Sequence, residues 1–476
     1  MNDSVENISA MLRNLPSIDE ILAAESVKNI RNKIGGPRLA ALARTAVESL
    51  RIEIQGRQWP AENGNDYSRP GLLEAAIGRL KIILADEQAL RVRRVINATG
   101  VIIHTNLGRA PLSYDAKDSL LREASNYCTL EYNTKTGKRG KRGAYAENIL
   151  AEITGAESAL IVNNCAAAAF LILTVFANGG EVIVSRGELV EIGGDFRVPD
   201  VLTQSGAVLK EVGTTNRTKL RDYENAIGEK TSMILRVHPS NYKIVGFTER
   251  PKIGDLADLA IRNGILLYED AGSGAIFDLA KYGLDDEPVI SHSIAAGADI
   301  VSFSGDKLLG GPQSGLIVGR ADLIDQIRRH PLYRALRVDK LAYAVLEATL
   351  NAFRRDTAFE DIPVLKMLSA SSDELAERAN SFAEKARKTP GSSELQIEIV
   401  SGNSVVGGGS APSVKLETTL LMLSHPKLSA GELEYRLRSA ETPVIIRIAD
   451  EKVMIDLRTV FENEESELLE ALKKIA

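Results

Sequence analysis

The chain has 476 residues, 44% of them hydrophobic, enough to fill a large core and more than one domain. Its 58 lysines and arginines against 64 aspartates and glutamates give a formal charge of −6, which excludes a basic field over the whole protein, so any nucleic acid must be met by a local patch. Two cysteines and five scattered histidines exclude a disulfide framework and a C-x-x-C or H-E-x-x-H metal site, and the lack of a basic-then-apolar leader or a run of about twenty apolar residues leads us to expect a cytoplasmic chain.

Residues 1–58 read as a small helical domain. Ile8, Met11, Leu12 and Leu15, then Ile18, Ile21 and Leu22, form apolar stripes, and Gly35-Gly36-Pro37 punctuates before a helix through Leu39, Leu42, Ala43, Ala46, Val47 and Leu50. Lys28, Arg31, Lys33, Arg38, Arg44, Arg51 and Arg57 there outnumber Glu48 and Glu53, which on composition alone is a solvated helix face. Residues 59–94 read as a turn-rich linker, with Trp59-Pro60 and Asn63-Gly64-Asn65, followed by a connecting helix over about 72–92.

Within 95–344, strands at 158–163, 181–185, 207–212, 233–238, 265–270, 300–304 and 315–318 alternate with helical segments, which predicts a mainly parallel sheet covered on both faces. The remainder, 345–476, begins helical, carries strands near 395–400, 413–418, 443–449 and 452–457, and closes with a helix over 462–474, a small α+β domain.

Candidate chemistry sits at the ends of three strands. The run Ile300-Val301-Ser302-Phe303-Ser304 is broken by Gly305, and the segment 308–312 bars a long continuation, so Lys307 lies on a tight turn. A lysine at the end of a buried strand can form a Schiff base with pyridoxal phosphate, with Ser302 and Ser304 helping to hold the phosphate and burial lowering the amine's pKa. An exposed lysine on a strand-to-turn element is the alternative. One strand earlier, Ile265-Leu266-Leu267-Tyr268-Glu269-Asp270 ends in an acid that can keep a pyridine nitrogen protonated. A dinucleotide fingerprint at Gly272 and Gly274 fails because Phe277 occupies the third glycine position. The turn Asn163-Asn164 opens an alanine-rich helix at Cys165 and Ala166, whose first amides suit a phosphate; a plain Asn-capped helix is the alternative.

Together these blocks resemble the bacterial L-seryl-tRNA(Sec) selenium transferase (selenocysteine synthase) family. The resemblance also rests on Leu15-Pro16-Ser17-Ile18-Asp19-Glu20-Ile21-Leu22, Asn97-Ala98-Thr99-Gly100, Asn106-Leu107-Gly108-Arg109, Arg139-Gly140-Lys141-Arg142-Gly143, Ser185-Arg186-Gly187-Glu188, Glu211-Val212-Gly213-Thr214-Thr215-Asn216-Arg217-Thr218 and Val405-Val406-Gly407-Gly408-Gly409-Ser410, and so spans nearly the whole chain. It implies fold type I of the pyridoxal-phosphate-dependent transferases, aspartate aminotransferase-like, with the small α+β and helical domains appended. It further implies conversion of seryl-tRNA(Sec) to selenocysteinyl-tRNA(Sec) with selenophosphate, by β-elimination through an aminoacrylyl-tRNA and addition of selenium.

By that resemblance the helical domain grips tRNA, no DNA or membrane is involved, and the chain assembles as a ring of dimers, a decamer. Lys307 with Asp306 beside it would be catalytic; Asp270, Ser302, Ser304, Cys165 and Ala166 would hold the cofactor. Arg109, Arg334 and Arg337 would line the selenium donor site, the last two sharing a helical face at i, i+3. Their alternative is a solvated face or interdomain ion pairs. Cys165 stands where many relatives carry asparagine, and a helix N-terminus could lower its thiol pKa, although a buried small residue is the simpler reading. His104, His238 and Arg186 are left without a role. The rival functions are an ammonia-lyase on an amino-sugar acid phosphate, against which the amino-terminal domain argues, and a silent tRNA-binding paralogue, against which Lys307 and Asp270 argue.

Overall fold

The computed structural model describes residues 2–56, 67–193, 196–388, 394–412 and 414–475. Arg57, Trp59-Pro60, Asn63-Gly64-Asn65, Gly194 and Ser413 lie outside the described residues. The chain divides into two compact units, Met1–Arg94 and Val95–Ala476.

The first unit is built from helices Asn2–Arg13, Ile18–Ala23, Glu25–Ile34, Gly36–Gln55 and Arg69–Ala89. Ser17 and Glu20 start the second of these by capping each other's amides, at 3.2 and 2.7 Å. The apolar face of Gly36–Gln55, Leu39, Leu42, Ala43, Ala46, Val47 and Leu50, packs with Ile21, Val27, Ala76 and Leu80 into one core. Ala76 and Leu80 come from Arg69–Ala89, so the helix expected as a connector is a member of the bundle, further tied by a two-pronged Arg69–Glu20 pair at 2.9 and 2.8 Å. Its apolar positions need a partner face, and among the described residues of this unit the helices before it supply one.

In the second unit a seven-stranded sheet runs in the order Ser158–Val162, Gly315–Gly319, Ile300–Ser304, Leu266–Gly272, Thr231–Val237, Glu181–Ser185, Val208–Val212. Every pairing is parallel except the two made by Gly315–Gly319. Apart from the edge strand Val208–Val212, which is partly exposed, the strands are largely apolar on both sides, as burial between helical layers requires. Ala159, Ile161, Ile234, Val301 and Phe303 face one layer, which includes Ala144–Thr154, Ile253–Asn263 and Lys340–Arg354; Leu160, Val162, Met233, Leu235 and Ile300 face the other, which includes Cys165–Phe176 and Ala321–Arg329.

A five-stranded sheet, Arg447–Ala449, Lys452–Asp456, Leu416–Ser424, Gln396–Gly407, Val101–Ile103, packs against Ser372–Lys388, Ala430–Arg438 and Glu465–Ile475. Its last strand comes from the start of the unit, and Ile96–Asn97 likewise pairs with Val444–Ile445. Asn97-Ala98-Thr99-Gly100 is thus a structural joint. Asn97 Oδ1 caps the Thr99 amide at 3.1 Å, the Thr459 hydroxyl takes the Gly100 amide at 3.0 Å, and a side chain at Gly100, whose φ is 72°, would come within 2.1 Å of the buried Asp456 carboxylate. At the other boundary, Lys340–Arg354 stays with the large sheet through Tyr343, Leu346, Leu350 and Phe353. No helix among the described residues is long and apolar enough to cross a membrane, and no group of His, Cys, Asp and Glu there could hold a metal ion.

Candidate active site

Ile300–Ser304 is buried along its length and runs into the turn bearing Asp306 and Lys307. Backbone bonds fix that turn: the Gly305 amide donates to the Ser314 carbonyl at 2.9 Å, Gly310 to Lys307 at 2.9 Å, Gly311 to Gly305 at 2.8 Å and Leu308 to Ser273 at 3.1 Å. A side chain at Gly305 would come within 2.1 Å of Ser314 Oγ, so glycine is required there. Lys307 is 4% exposed, and burial, reinforced by the nearby Arg109 cation, lowers its pKa. Its amine is thereby shifted toward the neutral, nucleophilic form.

Asp270, on the adjacent strand, is in register with Ser302. Burial pushes its carboxyl pKa up, while the Cys165 thiol and the Ser302 hydroxyl both donate to Oδ1 at 3.4 Å and oppose that rise. The Tyr268 and Ser302 hydroxyls are 2.7 Å apart, and both residues are fully buried. Ser302 is therefore turned to the carboxylate, not to a phosphate as expected, because its face of the strand meets Tyr268 and Asp270. Ser304, two residues on, is in register with Gly315, where a side chain would come within 2.1 Å of the Asn164 carbonyl, so Ser304 lies beside the asparagine turn.

Asn164 caps the helix Cys165–Phe176 by accepting the Ala167 amide at 2.8 Å, and its carbonyl takes Ala168 at 3.1 Å. The amides of Cys165 and Ala166 have no acceptor among the described residues. The Cys165 thiol is pushed well up by burial and by the Asp270 charge, which agrees with the reading of a buried small residue; desolvation outweighs the weak lowering that a helix terminus alone would give.

Arg109 reaches the turn from the other side, its guanidinium 2.8 Å from Asp306 and the Ala110 amide 3.3 Å from the Asp306 carbonyl. Arg334 and Arg337 do not share a helical face. Pro331–Leu336 ends before Arg337, whose extended backbone turns it to Glu131 at 3.6 Å, a carboxylate already held by Arg139 and Arg142 at 2.6 and 2.7 Å. Arg334 is exposed and makes no ion pair among the described residues. The same helix end touches the asparagine turn, where the Asn163 amide donates to the Leu336 carbonyl at 3.0 Å.

Two residues near the site carried no earlier role. Tyr268 was legible in principle, since alternation places it on the face of Asp270. Glu287, buried and accepting the Ala411 amide at 2.6 Å, ties the segment after Gly407-Gly408-Gly409 to the large domain, and it sits in a loop without a sequence signal. Of the histidines, His238 is buried beside the site, its amide on the Asp270 carbonyl at 2.9 Å, and burial lowers its pKa to about 4. His104 is lowered for the same reason, whereas Arg186 pairs with Glu211 on the surface. The set fits pyridoxal phosphate: a buried amine of lowered pKa, a buried carboxylate without an ion-pair partner among the described residues, and two unclaimed amides at a helix start.

Residues 95–461 match the family profile of L-seryl-tRNA selenium transferase. The chain is 46% identical over 473 residues to the L-seryl-tRNA(Sec) selenium transferase of Alkaliphilus metalliredigens, covering 99% of this chain and 100% of that one. It is 42% identical over 469 residues to the enzyme of that name from Aquifex aeolicus, covering 98% and 99%. Among solved structures it is similar in fold to a D-glucosaminate-6-phosphate ammonia-lyase, with a TM-score of 0.55 at 22% identity over 82% of this chain and 97% of that one. The fold is type I of the pyridoxal-phosphate-dependent transferases, and with these matches over its whole length the chain belongs to the L-seryl-tRNA(Sec) selenium transferase family.

Proposed function

We propose that this chain converts seryl-tRNA(Sec) to selenocysteinyl-tRNA(Sec) in the cytoplasm, taking selenium from selenophosphate and using pyridoxal phosphate held at Lys307. The observation that carries the reading is that Lys307, Asp270 and the Cys165 and Ala166 amides are set around one strand end in a chain related to selenium transferases over its full length. When bound, the cofactor supplies an electron sink that makes the serine Cα–H acidic and the β-hydroxyl expellable. Lys307 Nζ would hold the cofactor and, when free, would take the serine Cα proton and return it. Asp270 would keep the pyridine nitrogen protonated. Ser304 and the amides of Cys165 and Ala166 receive the phosphate.

Arg109, oriented by Asp306, is the first contact for the tetrahedral oxyanion of the donor. Arg334 and Arg337 are the further candidates, brought to a site by a second copy of the chain in the dimer-based ring that the resemblance implies. The exposed side chains of Tyr114, Leu121, Tyr127 and Tyr132 suit such an association. In the amino-terminal bundle, Lys28, Arg38 and Arg51 are paired with Glu25, Glu87 and Glu48, whereas Arg31, Lys33 and Arg44 are exposed and make no ion pair among the described residues, which leaves them for tRNA phosphates.

The test is transfer of labelled selenium from selenophosphate, with serylated selenocysteine tRNA and serylated ordinary serine tRNA side by side. Label on the first alone is expected. No label on either, from protein that shows the visible band of bound cofactor, would overturn the reading.

A further inference from the structure

Around Asp270 the side chains form a directed chain of hydrogen bonds. An ionised carboxylate only accepts, so the Ser302 hydroxyl spends its proton on Oδ1 at 3.4 Å. The Tyr268 hydroxyl, 2.7 Å from Ser302 Oγ, must then donate to it. The Cys165 thiol donates to the same oxygen at 3.4 Å, 3.8 Å from Ser302 Oγ. Tyr268 and Ser302 are fully buried and packed between layers of side chains, so neither hydroxyl has water as an alternative. Two of these residues are strand positions in register or at alternate places, and the third is the first residue of the helix after the asparagine turn, so one fold feature fixes all three.

We propose that Tyr268, acting through Ser302, and Cys165, acting directly, are positioning residues that hold Asp270 as an oriented carboxylate for the pyridine nitrogen of the bound cofactor. This rests on the pyridoxal phosphate reading above. Among the described residues, the titratable groups that act most on Asp270 are Cys165, Tyr268 and Lys307, and Lys307 is the one basic group of the three. Burial favours the protonated acid, whose pull on a pyridine proton is weak; the donors on Oδ1 favour the anion. Without the Tyr268 proton, the Ser302 hydroxyl is free to turn away from Asp270, so a change in a residue that touches no cofactor should be felt at the ring.

The experiment compares wild type with Tyr268→Phe, Cys165→Ala and Cys165→Ser, each stripped of cofactor, and follows rebinding of pyridoxal phosphate together with the pH midpoint of its visible band. Loss of the Cys165 donor to the carboxylate in Cys165→Ala, or of the Tyr268 proton that holds Ser302 on it in Tyr268→Phe, is expected to weaken binding about tenfold. The midpoint is expected to move upward, because a ring with a less firmly protonated nitrogen draws less charge from its bond to Lys307. Cys165→Ser, which keeps a donor, should return toward wild type in both readouts. Thermal melting of the stripped proteins reports whether a variant has merely lost packing. Wild-type affinity and midpoint in Tyr268→Phe, or losses in Cys165→Ser as large as in Cys165→Ala, would overturn the proposal while leaving the cofactor assignment standing. Failure of wild type itself to bind pyridoxal phosphate would overturn both.

Discussion

Arg109 places its guanidinium 2.8 Å from the Asp306 carboxylate while its own backbone sits in the left-handed region at φ 64°. A non-glycine residue there costs about 1 kcal/mol, and such strain persists where the surroundings over-determine it. Arg109→Gly should relieve the strain and melt at or slightly above the wild-type temperature, yet transfer no selenium. A variant that melts well below wild type would show that the ion pair, not the oxyanion, is the reason for arginine here.

Lys307→Ala removes the one amine at the strand end. Its protein is expected to fold, since a buried amine that is costly to desolvate is lost and the turn is held by backbone bonds. The visible band of the purified protein should be absent, and selenium transfer should fall to background. A band retained in this variant would move the cofactor to another lysine.

His238 supplies a pH dependence whose sign can be worked out. Its folded value of about 4 lies below the ordinary 6.5, so between those values the unfolded chain binds more protons and stability falls as pH drops from 6.5 toward 4. The whole contribution is roughly 3 kcal/mol. Denaturant melts of wild type and His238→Asn across this range should converge at acid pH, with wild type losing more. Parallel curves would mean that His238 is already charged in the folded state.

Gly315→Ala puts a methyl 2.1 Å from the Asn164 carbonyl. The asparagine turn must shift, at a cost of about 1–3 kcal/mol, and the amides of Cys165 and Ala166 shift with it. Cofactor affinity should fall more than tenfold, and inorganic phosphate should protect the stripped variant from heat less than it protects wild type. Equal protection would place the phosphate elsewhere.

Replacing Arg31, Lys33 and Arg44 by alanine should weaken binding of selenocysteine tRNA and lower the slope of log affinity against log salt by about 2, with little change in melting of the bundle. An unchanged slope would leave them as surface charges only.

The strand pattern was legible because the large sheet is buried on both faces: runs such as Ile300 to Ser304 are too apolar and too short for anything else. Lys307, Asp270 and the asparagine turn were legible for a related reason, since each lies at or within three residues of the end of such a run. What alternation could not reveal was direction and partner. Ser302 turns to Asp270 because Tyr268, from another strand, offers it a hydroxyl, and Arg337 leaves the face of Arg334 because a six-residue helix stops one residue too soon. Boundaries failed where contacts are long-range: nothing local in Val101-Ile102-Ile103 announces a pairing with the strand that holds Val405.

That pairing has a consequence for how the protein is made. The segment 96–103 leaves the ribosome long before its strand partners at 405–407 and 444–445, and before Asp456 against which Gly100 is packed. The core that holds the helical bundle of the first unit together comes from one short stretch of chain, so the bundle can form while translation continues. The second unit has to wait. Its first strand stays an unpaired edge, exposed to chaperones and to neighbouring nascent chains, until the residues at 405–445 have been made, so a message truncated before residue 444 should yield an aggregation-prone product rather than a partly active enzyme.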